Sequence, residues 1–238
     1  KPERYTLRAR IRPCSNGGQI RRRGNMVLSE PEITTDELRR LQHRRRMMVA
    51  GLAVLSLIPI AISAPLFSRY SLPGFVIFLG ALLCLSAAVV IRVWSVLHVG
   101  GRKGRELVTS GPYALVRNPL YVGTLFGAFG VGLAFGSITL AALLAVLTFL
   151  VFDWIIKIEE RRLRAEFGAE TFDAYLTSIH RWMPKLIKLP AMGRMETDGG
   201  VVVRTMVQAL MFFLALAASH GLEALRVAGW FAPLIYLP

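Results

Sequence analysis

The chain has 238 residues, is 54% hydrophobic, and carries 29 Lys and Arg against 15 Asp and Glu, for a formal net charge of +14. A mean hydropathy of +0.49 excludes a water-soluble basic domain, and the charge excludes a featureless apolar chain, so the two properties must be segregated along the sequence. The two cysteines, Cys14 and Cys84, exclude a disulfide framework.

Residues 1–25 show almost no apolar pattern and read as a disordered tail, with Met26 the expected biological start of the better-patterned segment that follows. Within residues 1–46, Lys and Arg outnumber Asp and Glu 13 to 5. The runs Arg21–Arg23 and Arg44–Arg46 would suit a nucleic-acid-binding arm. Basic residues flanking a first membrane span are also what retention of the N-terminus in the cytoplasm demands, so no nucleic-acid partner is expected. Thr34 or Thr35 can cap a helix that runs through Glu37, Leu38 and Leu41 into that span, with Pro59 tolerated as a kink. The first apolar stretch starts near residue 47 and is long enough to stay as an anchor rather than be cleaved as a signal peptide.

Five stretches are nearly free of charge: Met47–Phe67, Leu72–Val99, Leu120–Gly136, Ser137–Ile156 and Val201–Ser219. About 20 helical residues cross a hydrocarbon core of about 30 Å, so each is long enough, or nearly so, to span. In lipid an open strand edge would leave backbone groups unpaired, which makes the expected fold all-α, a polytopic membrane helix bundle of about five spans. Counting from a cytoplasmic N-terminus, the turn Ser68–Ser71 falls outside, His98–Pro119 inside, the connection near Gly136 outside, and Lys157–Gly200 inside. The loop 98–119 agrees, carrying Arg102, Lys103, Arg105 and Arg117 against Glu106 alone. The organisation reads as a basic cytoplasmic tail (1–46), a membrane domain (47–184), and a linker, extra span and C-terminal tail (185–238).

The third span carries Gly123, Gly127, Gly132 and Gly136, small residues spaced for close helix approach. The fourth continues beyond its apolar part as Lys157-Ile158-Glu159-Glu160-Arg161-Arg162. Leu163, Phe167, Phe172, Tyr175, Leu176 and Ile179 then follow near helical spacing, an amphipathic element at the bilayer surface that Gly168 interrupts. Pro184–Gly200 reads as a linker, and Gly221–Pro238, with Glu223 and Arg226, as too short and polar for a sixth span.

Two segments could carry chemistry. In the loop before span three, Asn118-Pro119 is a good helix start, Asn capping and Pro first in the helix, and Ser110-Gly111-Pro112 is ordinary turn chemistry. At the exit of span four, Glu159 can pair along the helix with Arg162, and Glu160 with Arg161 or Arg164. Each segment alone has this plain structural account. Together, joined by a glycine-rich helical hairpin, they come to one membrane face.

At about residues 90 to 184 the sequence resembles the isoprenylcysteine carboxyl methyltransferase and phospholipid methyltransferase family of membrane enzymes. The first motif is Leu107-Val108, Gly111-Pro112-Tyr113 and Arg117-Asn118-Pro119-Leu120-Tyr121-Val122-Gly123. The second is Glu159-Glu160, Leu163, Phe167-Gly168, Phe172, Tyr175 and Arg181-Trp182-Met183-Pro184. The resemblance implies methyl transfer from S-adenosylmethionine to an amphiphilic, lipid-like or prenylated acceptor at the cytoplasmic face. Leu107, Val108, Tyr113, Arg117, Asn118, Pro119, Leu120, Tyr121, Glu159 and Glu160 would bind the cofactor, Asn118 and Glu160 would serve the chemistry, and no metal is implied. The residue types suit that cofactor, since a carboxylate matches its ammonium and ribose hydroxyls and aromatic faces match its sulfonium. A carboxylate acceptor needs little acid–base help, whereas an amine must lose a proton, for which Glu160 or His98 is nearest. Asn118 stands where the family has His and cannot titrate. Phe172 replaces a Tyr, and Ile155, with Lys157 nearby, stands where the isoprenylcysteine branch has a substrate-binding Arg. A catalytically inactive relative that binds a lipid or a partner is the alternative, and the oligomeric state is open.

Overall fold

A computed structural model of the chain describes residues 35–100, 108–185, 197–230 and 232–238. Residues 1–34 of the basic tail, with Cys14, Met26 and Thr34, together with Leu107, the cations Arg102, Lys103 and Arg105 with Glu106, and most of the 184–200 linker lie outside the described residues. In chain order the elements are α1 (Thr35–Ile62), β1 (Ser63–Pro65), α2 (Leu72–Val99), α3 (Pro112–Leu115), α4 (Pro119–Ala134), α5 (Ile138–Phe167), α6 (Ala169–Ser178), α7 (Gly199–Val227) and β2 (Ile235–Leu237). The fold is a membrane helix bundle.

Local chemistry sets several boundaries. Ser71 caps α2, its hydroxyl accepting from the Gly74 amide at 3.3 Å, and Pro73 occupies the first turn. Ser137 caps α5 in the same way, accepting from the Leu140 amide at 3.0 Å. Gly168, at φ +85°, ends α5 and starts α6 in a conformation open to glycine. Its interruption of the amphipathic segment is as expected.

Among the described residues, three helices are long and apolar enough to cross a membrane: Leu72–Val99, Ile138–Arg164 and Gly199–Val227. The other two expected spans are shorter apolar helices, Arg46–Ile62 and Pro119–Ala134. The latter is cut to 16 residues between Pro119 and Gly136, about 24 Å of helix at ~1.5 Å per residue.

The core forms around α4, which packs against α2, α5 and α7. Its glycines face different neighbours. A side chain at Gly123 would strike the Arg92 stem on α2, at Gly127 the Phe212 ring on α7, and at Gly132 the backbone at Ala141 on α5. The close approach expected of these glycines is therefore met within one chain. On α2, Ala81, Leu85 and Ala88 are fully buried, as are Leu140 and Ala141 on α5. At the site end of α5, Tyr121, Phe152, Ile155 and Ile156 form a second buried cluster, with Met48 of α1 and Trp182 against it.

The expected C-terminal tail is corrected in part. Residues 221–227 complete α7, and the chain then returns as β2, pairing parallel with β1 in the register Ser63 to Ile235 and Pro65 to Leu237. These two three-residue strands are a small exception to an all-α fold among the described residues. At this far end Arg69 pairs with Glu223, and one Arg226 nitrogen donates to the carbonyls of Ile60, Ala61 and Ser63. The α1–α2 turn, α7 and the tail are tied into one cap.

Candidate active site

Because α4 and α5 form a hairpin, the start of α4 and the late turns of α5 lie at the same end of the bundle. Tyr121, in the first turn of α4, donates its phenol to Glu159 Oε2 at 2.8 Å, and its ring stacks at 4.7 Å on Phe152, two turns before Glu159 on α5. Glu160 turns to a different set of partners. Arg117 Nη1 lies 3.0 Å from its Oε1, and Arg181 grips both oxygens, Nε to Oε1 at 3.1 Å and Nη2 to Oε2 at 2.5 Å. The two adjacent carboxylates are therefore divided, Glu159 toward α4 and Glu160 toward two guanidinium groups.

The pairing of Glu160 with Arg161 or Arg164 along its own helix does not occur. Arg161 Nε donates to the Lys157 carbonyl at 3.3 Å, and Arg164 meets Asp173 of α6 at 2.7 Å. Two guanidinium partners in a partly dry setting hold a carboxylate better than a solvated neighbour on the same helix.

Asn118 occupies the cap position of α4, and its backbone carbonyl accepts from the amides of Tyr121 and Val122 at 3.0 and 3.1 Å. Its side chain makes no capping bond, contrary to the plain structural reading, because its backbone at φ −125° and ψ 59° departs from cap geometry. The Nδ2 donor is left buried without a hydrogen-bond partner. A buried donor without a partner costs free energy, and at a helix N-terminus this one is placed where it could serve an accepting group.

Tyr113 lies in α3, and its carbonyl accepts the phenol of Tyr175 at 3.0 Å. Burial raises the Tyr113 phenol above the ordinary value, and the charge of Glu159 pushes the same way, so Tyr113 remains protonated beside that carboxylate. The Tyr175 phenol is raised by burial and by Tyr113, with Arg117 opposing. Arg181 is held in its charged form first by its hydrogen bond to Glu160, against desolvation, with Asp153 adding to the effect.

His98, at the end of α2, places Nδ1 3.0 Å from the Trp94 carbonyl. A carbonyl only accepts, so Nδ1 donates in that bond. The ring packs on Gly111, where φ is +60° and no side chain would fit, a physical reason for the glycine of Gly111-Pro112-Tyr113.

Of the residues expected to bind cofactor, Tyr113, Arg117, Asn118, Tyr121, Glu159 and Glu160 gather where the start of α4 meets the late turns of α5. Pro119 is buried at the helix start, Leu120 is half-buried in the first turn, and Val108 is buried at the near edge of the loop. Leu107 lies outside the described residues. The sequence pattern assigned no separate role to Asp153, Tyr175, Arg181 or Trp182, which brace the site. Asp153 receives Arg181 Nη1 at 3.2 Å, the Trp182 indole at 3.2 Å and Lys157 at 2.8 Å. The signal for Arg181 and Tyr175 was their place in the second motif. For Asp153 it was a carboxylate seven residues before Glu160, two turns along one helix face.

S-adenosylmethionine fits these residues by chemistry. The orphan Asn118 Nδ2 and the N-terminus of α4 suit its carboxylate, Glu159 its hydroxyls or ammonium, and the Tyr113 ring its cationic portion.

Comparison with known proteins agrees with the motifs. Residues 68–170 match the family model for phospholipid methyltransferases. The chain is 32% identical over 157 residues to the nickel-cobalt-cadmium resistance protein NccN of Alcaligenes xylosoxydans xylosoxydans, covering 66% of this chain and 73% of that one. It is 39% identical over 105 residues to the cobalt-zinc-cadmium resistance protein CzcN of Cupriavidus metallidurans, covering 44% of this chain and 48% of that relative. No solved structure matches.

Proposed function

Since the chain belongs to the phospholipid methyltransferase family, we propose that it is an integral membrane methyltransferase that uses S-adenosylmethionine to methylate a lipid-like or prenylated acceptor at the cytoplasmic membrane face. The observation that carries this reading is the junction itself: Tyr121 of the first motif bonded to Glu159 of the second, beside the buried, unpartnered Asn118 donor. In this proposal the N-terminus is cytoplasmic, α1 and α4 cross the membrane with the three longer helices, and residues 47–184 form the catalytic unit.

When bound, S-adenosylmethionine supplies an electrophilic methyl group on a sulfonium. The chain's own part is to orient and to exclude water. Asn118 donates toward the carboxylate end at the α4 N-terminus, Glu159 accepts from hydroxyl or ammonium groups with its orientation set by Tyr121, and the neutral Tyr113 offers a ring face. Alignment and exclusion of water account for most of the rate if the acceptor is a carboxylate. If the acceptor is an amine, His98 takes the proton on Nε2, because both oxygens of Glu160 are engaged by guanidinium groups. Glu160 then anchors the site and does not act as a base. Lateral entry between helices suits an amphiphile, and Ile155 in place of a cation favours an acceptor other than a prenylcysteine carboxylate.

The test is calorimetric titration with S-adenosylhomocysteine of the protein in lipid nanodiscs, comparing wild type with Glu159→Gln and Tyr121→Ala. Saturable binding lost in both variants supports the reading, and absence of binding by well-folded wild type overturns it. The second reading, an inactive relative that binds a lipid or partner, is favoured by one observation: Asn118 cannot titrate where the family has His. Turnover of any acceptor by wild type, lost in Glu159→Gln with folding intact, removes it. The relatives' names concern resistance to divalent metals.

A further inference from the structure

We propose that Arg181 is the positioning residue that locks the two motifs of the site together, a role that rests on the cofactor-binding reading above. Its guanidinium meets three acceptor atoms on one face of α5. Nε and Nη2 take the two oxygens of Glu160, and Nη1 takes Asp153 Oδ1 at 3.2 Å, two turns earlier. Lysine, with one ammonium group, cannot span this arrangement. The same segment closes on the first motif through its backbone. The Arg117 amide donates to the His180 carbonyl at 3.0 Å, and the Lys185 amide to the Leu115 carbonyl at 2.7 Å.

Residues 180–185 thus form a strap between the exit of α5 and the loop that enters α4. Trp182 fastens its middle, with the indole on Asp153 and the ring 4.9 Å from Phe149. The charges facing Arg181 are Glu160 and Asp153, and those carboxylates also meet Arg117 and Lys157. With Arg181 in place, both oxygens of Glu160 are held by guanidinium groups while the Tyr121 phenol donates to Glu159. Without it, Glu160 keeps only Arg117, the strap loses its side-chain tie, and Arg117 and Asn118 lose their backing. Arg181 acts on the cofactor through these residues and does not touch it.

The experiment has one readout with ligand and one without. In nanodiscs, S-adenosylhomocysteine affinity is measured for wild type, Arg181→Gln, Arg181→Lys, Glu160→Gln and the Arg181→Gln/Glu160→Gln double variant, with Arg164→Gln as a surface ion-pair control. Arg181→Gln is expected to bind at least tenfold more weakly, Arg181→Lys to recover little of it, and the double variant to be less than twofold weaker than Glu160→Gln alone. Hydrogen–deuterium exchange without ligand is expected to quicken at residues 115–117 in Arg181→Gln and to stay unchanged in Arg164→Gln. Wild-type affinity in Arg181→Gln, or additive losses in the double variant, overturns the proposal while leaving the cofactor reading intact. Failure of wild type to bind, with exchange still quickened in Arg181→Gln, overturns the cofactor reading and leaves the strap.

Discussion

The phenol of Tyr121 donates to Glu159 at 2.8 Å while its ring is 5% exposed and stacked on Phe152, so Tyr121→Phe removes the hydrogen bond and keeps the packing. A hydrogen bond to a charged group is worth about 1.5–3 kcal/mol, and about 1.4 kcal/mol is tenfold in affinity. The variant should therefore lose stability of that order, seen as a lower thermal midpoint, and, because Glu159 loses the donor that orients it, also bind S-adenosylhomocysteine more weakly, as read by a melting assay and calorimetry. Asn118 gives the complementary case. An Asn cap normally contributes about 1 kcal/mol, but this side chain makes no cap bond. Asn118→Ala should cost well under that amount in a denaturation series and still weaken ligand binding, and a loss of stability without a loss of affinity would return Asn118 to a structural role. Tyr113 and Tyr175 link the site to pH. Their unfolded phenols ionise near 10.0, while burial raises both in the folded state. Their contribution to stability is full below pH 10 and is lost as the pH rises from there toward the folded values, since only the unfolded chain then readily releases the protons. Melting between pH 8 and 11 should show this fall, and Tyr175→Phe should flatten it.

Among the elements, the α4–α5 contact decides whether the motifs meet at all. Gly132 faces the Ala141 backbone with no room for a methyl group, so Gly132→Ala must push the helices apart at a cost of about 1–3 kcal/mol. Because the Tyr121–Glu159 bond bridges these same helices, affinity for S-adenosylhomocysteine should fall together with the melting midpoint. Unchanged affinity in a destabilised variant would show that the site end moves independently of the glycine contact. This hairpin was legible in the sequence because its signals are local: a Pro at one end, a break in the apolar pattern near Gly136, and small residues at helical spacing between. The two motifs were legible for the same reason. The partners of Glu160 were not. Arg117 lies 43 residues before it and Arg181 21 residues after it, and nearer arginines offered an equally plausible pairing until the strap's backbone bonds chose between them. Asn118 does stand at the cap position before Pro119, but its side chain makes no cap bond, because residue type at a helix start does not reveal the backbone angle that decides whether the side chain reaches back.

For the whole molecule, segregation of charge from apolar surface predicted the bundle, whereas the far-end cap was invisible beforehand. Strands of three residues carry no alternation to read, and their pairing joins residues more than 170 positions apart. That cap now offers a test of orientation. The site end carries Lys157, Arg161, Arg162, Arg164 and Lys185, while at the far end Arg69 is tied to Glu223 and Arg226 to backbone carbonyls. The positive-inside bias is the ground for the proposal that the site end faces the cytoplasm. Tyr70 is fully exposed at the far end, and Ser110 is exposed in the loop at the site end. In a background with Cys14 and Cys84 replaced by Ser, a membrane-impermeant maleimide should label Tyr70→Cys in intact cells and Ser110→Cys only after permeabilisation. The reverse pattern would place the site on the outer face, where a cytoplasmic supply of S-adenosylmethionine could not reach it, and would remove the methyltransferase reading even if the purified protein bound the ligand.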